Sequence, residues 1–563
     1  MNKFFIYILG AAVAIVLSMG LNSCVKDLDV EPIDPGLQES ITAEQMFNKC
    51  YSVFATSGNN GGDDNVDVDG LDGGFQHKYR QMWNSNELTT DEAICGWGDE
   101  GIPSYCFNTY DATHPMLRGY YYGLLNGFNF CNHYLQTFGD YNSTMTAEIR
   151  FLRAFQYYLL MDAFGNVPFT TKSPKELMEN NELPEQYSRT QAFAFIEKEL
   201  KAIIGEDSND NATVLSEPAP KTYGEKGYGR VDKAAAWMLL ARLYLNAEVY
   251  TGTSHWAEAR DYAKKVIESP YRLHTADYDQ NGRHWSAYQM LFMGDNGTNG
   301  ATEEALFPVI QDGTRTTSWG GTNFLICSTF DSDMHPNPYD PSEVNGLYNN
   351  STWGGNRARP DLIKKFFGDN EVPEGHAYTV AAAAGDERAL FETEKRHLNV
   401  ENVSNFKYGF AIAKFTNFKC DGSRGSDNTF ADSHLFYMRV AEAYLTYAEA
   451  LTRIASGNED GAMVPVDGIS AINKIRARAK AIEKSTYTLK DILDEWSREF
   501  YFEGRRRVDL IRFDKFGGDN DYKWQWKGGV YEGGSFSKYR NIFAIPSDEL
   551  VANPNLKQNE GYK

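Results

Sequence analysis

Apolar residues recurring at helical spacing, in pairs of segments met three times along the chain, restrict this sequence more than any other feature in it. Residues 116–138 are strongly aromatic with a helical rhythm, and a second segment follows Thr144 as AEIRFLRAFQYYLLMDAFGNVPF. There Ile149, Leu152, Phe155, Gln156 and Leu159 fall three and four apart, and Gly165 and Pro168 end the pattern. Two such helices joined by a short polar loop make an antiparallel hairpin. Residues 231–250 and 256–268 repeat the unit, closed by Pro270, with Ala236, Ala241, Ala259 and Ala263 as small faces and Trp237, Tyr244 and Tyr262 as large partners. Residues 436–454 and 467–479 give the third copy.

Helix pairs recurring so far apart predict a mainly α fold, a helical-hairpin scaffold resembling tetratricopeptide repeats, interrupted by long irregular insertions and a few short strands. The scaffold is expected over residues 41–270 and 435–563 of the 563. Between residues 271 and 434 the periodicity disappears into glycine, asparagine, aspartate and isolated aromatics, as in GTRTTSWGGTNF and LYNNSTWGGNRARPDL. Such long irregular stretches in a compact protein are commonly functional, so ligand binding is sought there and in the early loop KYRQMWNSNELTTDEAICGWGDEG. Thr42, with Gln45 three residues on, predicts a capped helix over residues 43–54. The glycine and aspartate run after it contains Asn65, Asp67, Asp69 and Gly70, imitating a calcium loop, but Gln76 stands where the bidentate glutamate belongs; a flexible acidic loop is expected.

Near the C-terminus, EWSREFYFEGRRRVDLIRF crowds Arg498, Glu499, Glu503, Arg505, Arg506, Arg507 and Asp509 among Trp496, Phe500, Tyr501 and Phe502. Placing Glu495, Arg498, Glu499, Phe502 and Glu503 on one helix, with Gly504 as its interruption, puts opposite charges on adjoining positions. Charges that dense beside aromatics are costly to bury unpaired, so an ion-pair lattice joining this helix to others is expected. A catalytic pair formed by Glu499 and Glu503 would need one raised pKa, and the neighbouring arginines push both carboxylates the other way. The basic run 505–507 does not indicate nucleic acid in a chain of net charge −22.

At the other end, Lys3 precedes an apolar run, residues 4–17, too short to span a membrane, which leads to Leu-Asn-Ser-Cys ending at Cys24. That arrangement resembles a bacterial lipoprotein signal: residues 1–23 as leader, lipidation on the Cys24 thiol, and residues 24–40 as an acidic tether before the folded domain, 41–563. The remaining cysteines, Cys50, Cys95, Cys106, Cys131, Cys327 and Cys420, have no close paired metal spacing. They are expected to be buried free thiols, with Cys95 and Cys106 the best candidates for a bridge.

Together, the lipobox at Cys24, RFLRAFQYYLLMDAFGNVPF from Arg150, RVAEAYLTYAEAL from Arg439 and REFYFEGRRRVDLIRF resemble the SusD/RagB family, lipid-anchored glycan-binding proteins of the outer-membrane surface that partner a TonB-dependent (SusC-like) transporter. The resemblance is nearest to the family's starch-binding founder. It implies capture of an oligosaccharide or polysaccharide, starch or malto-oligosaccharide, on an arc of loop-borne aromatics, and no catalysis. By position it implies Arg80, Trp97, Glu100 and Trp319 as glycan-binding residues; Glu100 stands where the family has an amide, and the loop 294–302 lacks the family's tyrosine. Trp353, in STWGGN, is a further candidate, since sugar rings stack on indole and guanidinium donors suit hydroxyl rims. Arg80 could alternatively pair with Glu87 or Asp91. The resemblance also suggests calcium, for which Asp277, Asp279 and Asp432 are candidates beside Asn281 and Gly282, although His434 takes a second ligand position that oxygen would suit better. The competing functions are a glycoside hydrolase using loop or helix carboxylates, and a helical-repeat scaffold that binds only protein.

Overall fold

A computed structural model of the chain describes residues 41–57, 68, 70–210, 212–347 and 349–562. The expected leader, Cys24 and the tether lie outside the described residues, as do Asn65, Asp67 and Asp69 of the acidic loop. The described residues divide into two units between Met46 and Phe47. In the first, the Thr42 amide donates to Gln45 Oε1 at 2.8 Å and the Gln45 amide to Thr42 Oγ1 at 3.2 Å, the reciprocal cap read from the sequence.

Within the second unit the hairpins are present. The first joins helices Pro115–Phe138 and Ser143–Phe164. Asn142 Oδ1 accepts from the Met145 amide to start the second of these, and Gly165, at φ +73°, ends it. Every residue from Thr146 to Phe164 is buried, so this helix is a central member packed on all sides. The second hairpin joins Lys233–Leu245, started by Asp232, to Trp256–Ile267; the third joins Val440–Ser456 to Val466–Arg478, and Val440–Ser456 packs against Trp256–Ile267. A further helix, Arg189–Ile203, carries a Ser188/Gln191 capping box and packs on Ser143–Phe164. Its Glu199 receives Arg150 at 2.8 Å and Arg153 at 2.6 Å, so two charged positions of the central helix are satisfied by one carboxylate.

The insertion holds paired short strands and short helices. Strand Ala93–Cys95 pairs antiparallel with Asn356–Ala358, and Ala305–Val309 with Leu435–Arg439. The early segment expected as a loop is instead helix Lys78–Trp83 followed by a π-helical turn, Asn84–Leu88, and its residues are buried. Distant partners satisfy its polar groups: Asn86 Nδ2 donates to Gly504 O, Glu87 Oε1 accepts from the Gly504 and Arg505 amides, and Ser497 Oγ donates to Glu92.

The charged C-terminal stretch forms a buried ion-pair lattice. Glu499 receives Arg439 at 2.6 Å and Arg388 at 3.1 Å, together with Arg478. Burial alone would raise its carboxyl, but Arg478, Arg439 and Arg388 overcome that and hold it at about 2. Glu495 receives Arg388, Arg476 and Arg498, each at 2.8 Å; Asp91 receives Arg506 and Lys365, each at 2.8 Å. Aromatic faces complete the cage, with the Arg439 guanidinium 3.9 Å from the Phe500 ring and that of Arg505 3.9 Å from Trp496. One expectation is corrected: helix Leu489–Phe500 stops before Phe502 and Glu503, and Phe502 (φ +63°) and Gly504 (φ +77°) take left-handed turns. Glu503 therefore meets Glu499 through the shared Arg439 and not along a helix face.

The six described cysteines are buried free thiols. Cys95 and Cys106 adjoin without bridging; the Cys95 amide donates to Cys106 Sγ at 3.4 Å.

Candidate functional site

Antiparallel pairing puts the residue after one strand and the residue before its partner at the same end of a sheet. Cys95 pairs with Asn356, so Trp97 leaves the sheet where Trp353 enters it. The Gly96 amide extends the ladder to Gly355 O at 3.1 Å, and Trp97 Nε1 donates to Trp353 O at 3.3 Å. A Cβ on Gly355 would sit 2.2 Å from Trp97 Cε2; the indole lies where only glycine leaves room. Trp353 is tied in turn to helix Gly321–Thr329 by its amide, which donates to Cys327 O at 2.7 Å. Trp319 lies just before that helix. A Cβ on Gly320 would fall 2.0 Å from the His77 ring, so the Trp319 loop rests directly on the residue that opens helix Lys78–Trp83. His77 is buried, and desolvation lowers its pKa to about 4, leaving the imidazole neutral.

These contacts bring Arg80, Trp97, Trp319 and Trp353 to one open cleft of about 340 Å³. Trp353 is central: its ring centroid is 6.3 Å from Trp97, with planes at 52°, and 6.1 Å from Trp319, with planes at 47°. Three half-buried indoles, neighbouring ones inclined to each other, thus line the cleft. Phe430 backs Trp319 at 4.7 Å. Arg80, from helix Lys78–Trp83, is almost fully buried, its guanidinium 3.9 Å from the Phe75 ring, 4.8 Å from Phe324 and 5.8 Å from Trp97. Glu87 and Asp91, the alternative partners considered for Arg80, bind Gly504, Arg505, Arg506 and Lys365 instead.

Glu100 is exposed and does not line the cleft; its neighbour Asp99 does, as does Asp72. Asp72 Oδ1 caps the turn Gly73–Gln76 through the Gly74 amide at 3.0 Å, which places Phe75 under Arg80. Sequence reasoning passed over Asp72, Phe75 and Asp99. The signal available was an aromatic following two glycines, next to the segment already singled out.

Asp277 and Asp279 converge with His284, their ligand atoms within 4.8 Å of one another, and Asp432 is not part of that group. Asp432 is held by Lys419 at 3.1 Å and by the amides of Gly313 and Ser426. Asp277 pairs with Lys480 at 2.8 Å, and Asp279 with His284 Nδ1 at 2.7 Å. Two carboxylates already engaged by an ammonium and an imidazole do not fit the six to eight oxygens that calcium takes. His434 is buried and, with its pKa lowered by desolvation to about 4, accepts from the Gln311 amide at 3.0 Å as a neutral ring. Glu499, the carboxylate considered for hydrolysis, is fully buried and held ionised, so it can neither reach a substrate nor donate a proton.

The family model described as "SusD family" matches residues 343–562, and a second, described as "Starch-binding associating with outer membrane", matches residues 28–245. The starch-binding protein SusD of Bacteroides thetaiotaomicron is 35% identical, with all of both chains covered. A SusD-like protein of Bacteroides ovatus is 25% identical over 68% of this chain and 62% of its own. Among solved structures, surface glycan-binding protein A from Bacteroides fluxus superposes with a TM-score of 0.63 at 20% identity, covering 94% of this chain and all of its own. A laminarin-binding SusD-like protein gives 0.62 at 19%, covering 92% and 99%.

Proposed function

Because this chain belongs to the SusD family, we propose that it captures an α-glucan, starch or malto-oligosaccharide, on the Trp97, Trp353 and Trp319 arc and passes it to a TonB-dependent transporter in the outer membrane, to which lipid on Cys24 anchors it. The observation that carries the reading is the convergence of three indoles and a buried arginine on one open cleft. Pyranose rings present apolar C–H faces to indole and hydroxyl rims to hydrogen-bonding groups. The inclination of successive rings, 52° and 47°, suits a chain that curves, as an α-1,4-glucan does, better than a flat ribbon. Asp72 and Asp99, which line the cleft, supply acceptors for hydroxyls, with the exposed Glu100 next in sequence to Asp99 as a further acceptor.

Isothermal titration against soluble glycans tests this directly. Maltoheptaose is expected to bind, and Trp97→Ala and Trp319→Ala each to cost about 1 kcal/mol or more. Unchanged affinity in both variants overturns the site, and turnover of a labelled oligosaccharide would revive the hydrolase. For the anchor, Cys24→Ser is expected to move the protein from the membrane fraction to the soluble one.

A further inference from the structure

We propose that a second aromatic platform, Phe107, Trp526 and Tyr531, binds the continuation of a glycan chain whose first part occupies the tryptophan cleft; this rests on the reading above. Trp526 is half-buried and left-handed, at φ +69° and ψ 12°. That conformation is strained for so bulky a residue, and strain of this kind persists where surrounding structure enforces it. The enforcing contacts are present. Trp526 Nε1 donates to Val400 O at 2.8 Å, and the Val400 amide donates back to Gln525 Oε1 at 2.7 Å. Below, the buried Lys527 Nζ donates to the carbonyls of Lys515 and Tyr522 and to Asn520 Oδ1, so the loop under the indole is fixed.

Phe107 and Tyr531, also half-buried, stand 5.4 and 5.5 Å from Trp526, with planes at 52° and 86°, and Val530 beside them is 47% exposed. These inclined rings repeat the character of the cleft. The two aromatic sites share one support. The buried Arg359 guanidinium donates to Ala93 O at 2.8 Å, in the strand leading to Trp97, to Cys106 O at 2.9 Å, just before Phe107, and to Gln525 O, just before Trp526. A backbone segment bridges the gap as well: a Cβ on Gly96 would lie 2.9 Å from Val403 O, and Val400, which holds Trp526, is three residues away, within about 11 Å along the chain. A platform of rings rigidly coupled to the cleft suits a long chain that bends from one to the other, and a glycan too short to leave the cleft would not reach it.

The test compares the full chain binding maltotriose, by titration, and amylopectin, by retention in affinity electrophoresis, in wild type, Trp526→Asn, Phe107→Ala and Tyr531→Ala. Asparagine tolerates the left-handed backbone, and Tyr531→Ala leaves the Nε1 bond intact should the Trp526 loop rearrange. Amylopectin affinity is expected to fall about fivefold in each, with maltotriose affinity and the melting midpoint of Tyr531→Ala unchanged. Unchanged amylopectin retention, or an equal loss for both glycans, overturns the platform while leaving the cleft standing. If amylopectin binding is unaffected but a co-purifying membrane protein is lost, the surface is a protein contact and the proposal fails. Wild-type protein that binds neither glycan overturns the cleft and the platform together.

Discussion

The cleft depends on residues that contribute no side chain to it. Gly355 leaves the space Trp97 fills, and its ideal Cβ overlaps the indole at 2.2 Å. Gly355→Ala is expected to displace Trp97 at a cost of about 1–3 kcal/mol in stability, lowering the melting midpoint, and to weaken glycan binding as Trp97→Ala does. A protein that keeps full affinity would show that the position of Trp97 is immaterial. Arg80, Trp97 and Trp319 were legible as candidates through the resemblance to the family, and Trp353 as a tryptophan in a glycine-rich loop. Asp72, Phe75 and Asp99 were not, since an aspartate cap and a phenylalanine are ordinary in any sequence. Their importance comes from lining one cleft with groups some 220 residues and more away, such as Trp319 and Trp353.

At the scale of elements, the helix Leu489–Phe500 and the turn after it carry the stability predictions. Glu499→Gln leaves Arg388, Arg439 and Arg478 undercompensated in a buried site, and is expected to cost about 3–5 kcal/mol in urea unfolding. The pH dependence has a definite sign. The Glu499 carboxyl is held at about 2 against 4.5 when unfolded, so its contribution is complete above about pH 4.5 and is lost as pH falls towards 2. The urea midpoint should decline over that window, and less steeply in Glu499→Gln. Glu87 has the opposite behaviour: burial, then the neighbouring Glu92, raise its carboxyl well above the usual range. The folded protein keeps a proton that the unfolded chain releases, so this group lowers stability as pH rises above about 4.5. Glu87→Gln keeps an oxygen for the Gly504 and Arg505 amides and is expected to raise the melting midpoint at pH 8 relative to pH 5. The helical hairpins and the ion-pair character of this stretch could be read from spacing alone. The end of the helix at Phe500 could not, because Phe502 adopts φ +63° only where the Trp83 indole donates to its carbonyl at 2.8 Å from 419 residues away.

Over the whole molecule, the described cysteines contribute as buried thiols and not as cross-links, so reduction with dithiothreitol is expected to leave the melting midpoint unchanged; a drop would reveal a bridge. Much of the architecture was determined by the sequence alone. Apolar residues at intervals of three and four, small residues facing large ones, and caps at helix starts are local instructions, and they specify a helical-hairpin scaffold whatever surrounds it. The tertiary structure decided what local rules cannot express. It turned a polar segment, residues 78–95, into buried helix and strand by supplying partners from residues 497–505. It also gathered Asp277 and Asp279 with His284 in place of Asp432. The cleft belongs to this second category: its three tryptophans are separated by more than 30 residues at the least, and they meet because one two-stranded pairing, one glycine cradle and one helix start fix their backbones. Hydrophobic periodicity repeats along a chain and leaves a signal at every turn, whereas a binding surface is made once, from residues whose only common property is where the fold puts them.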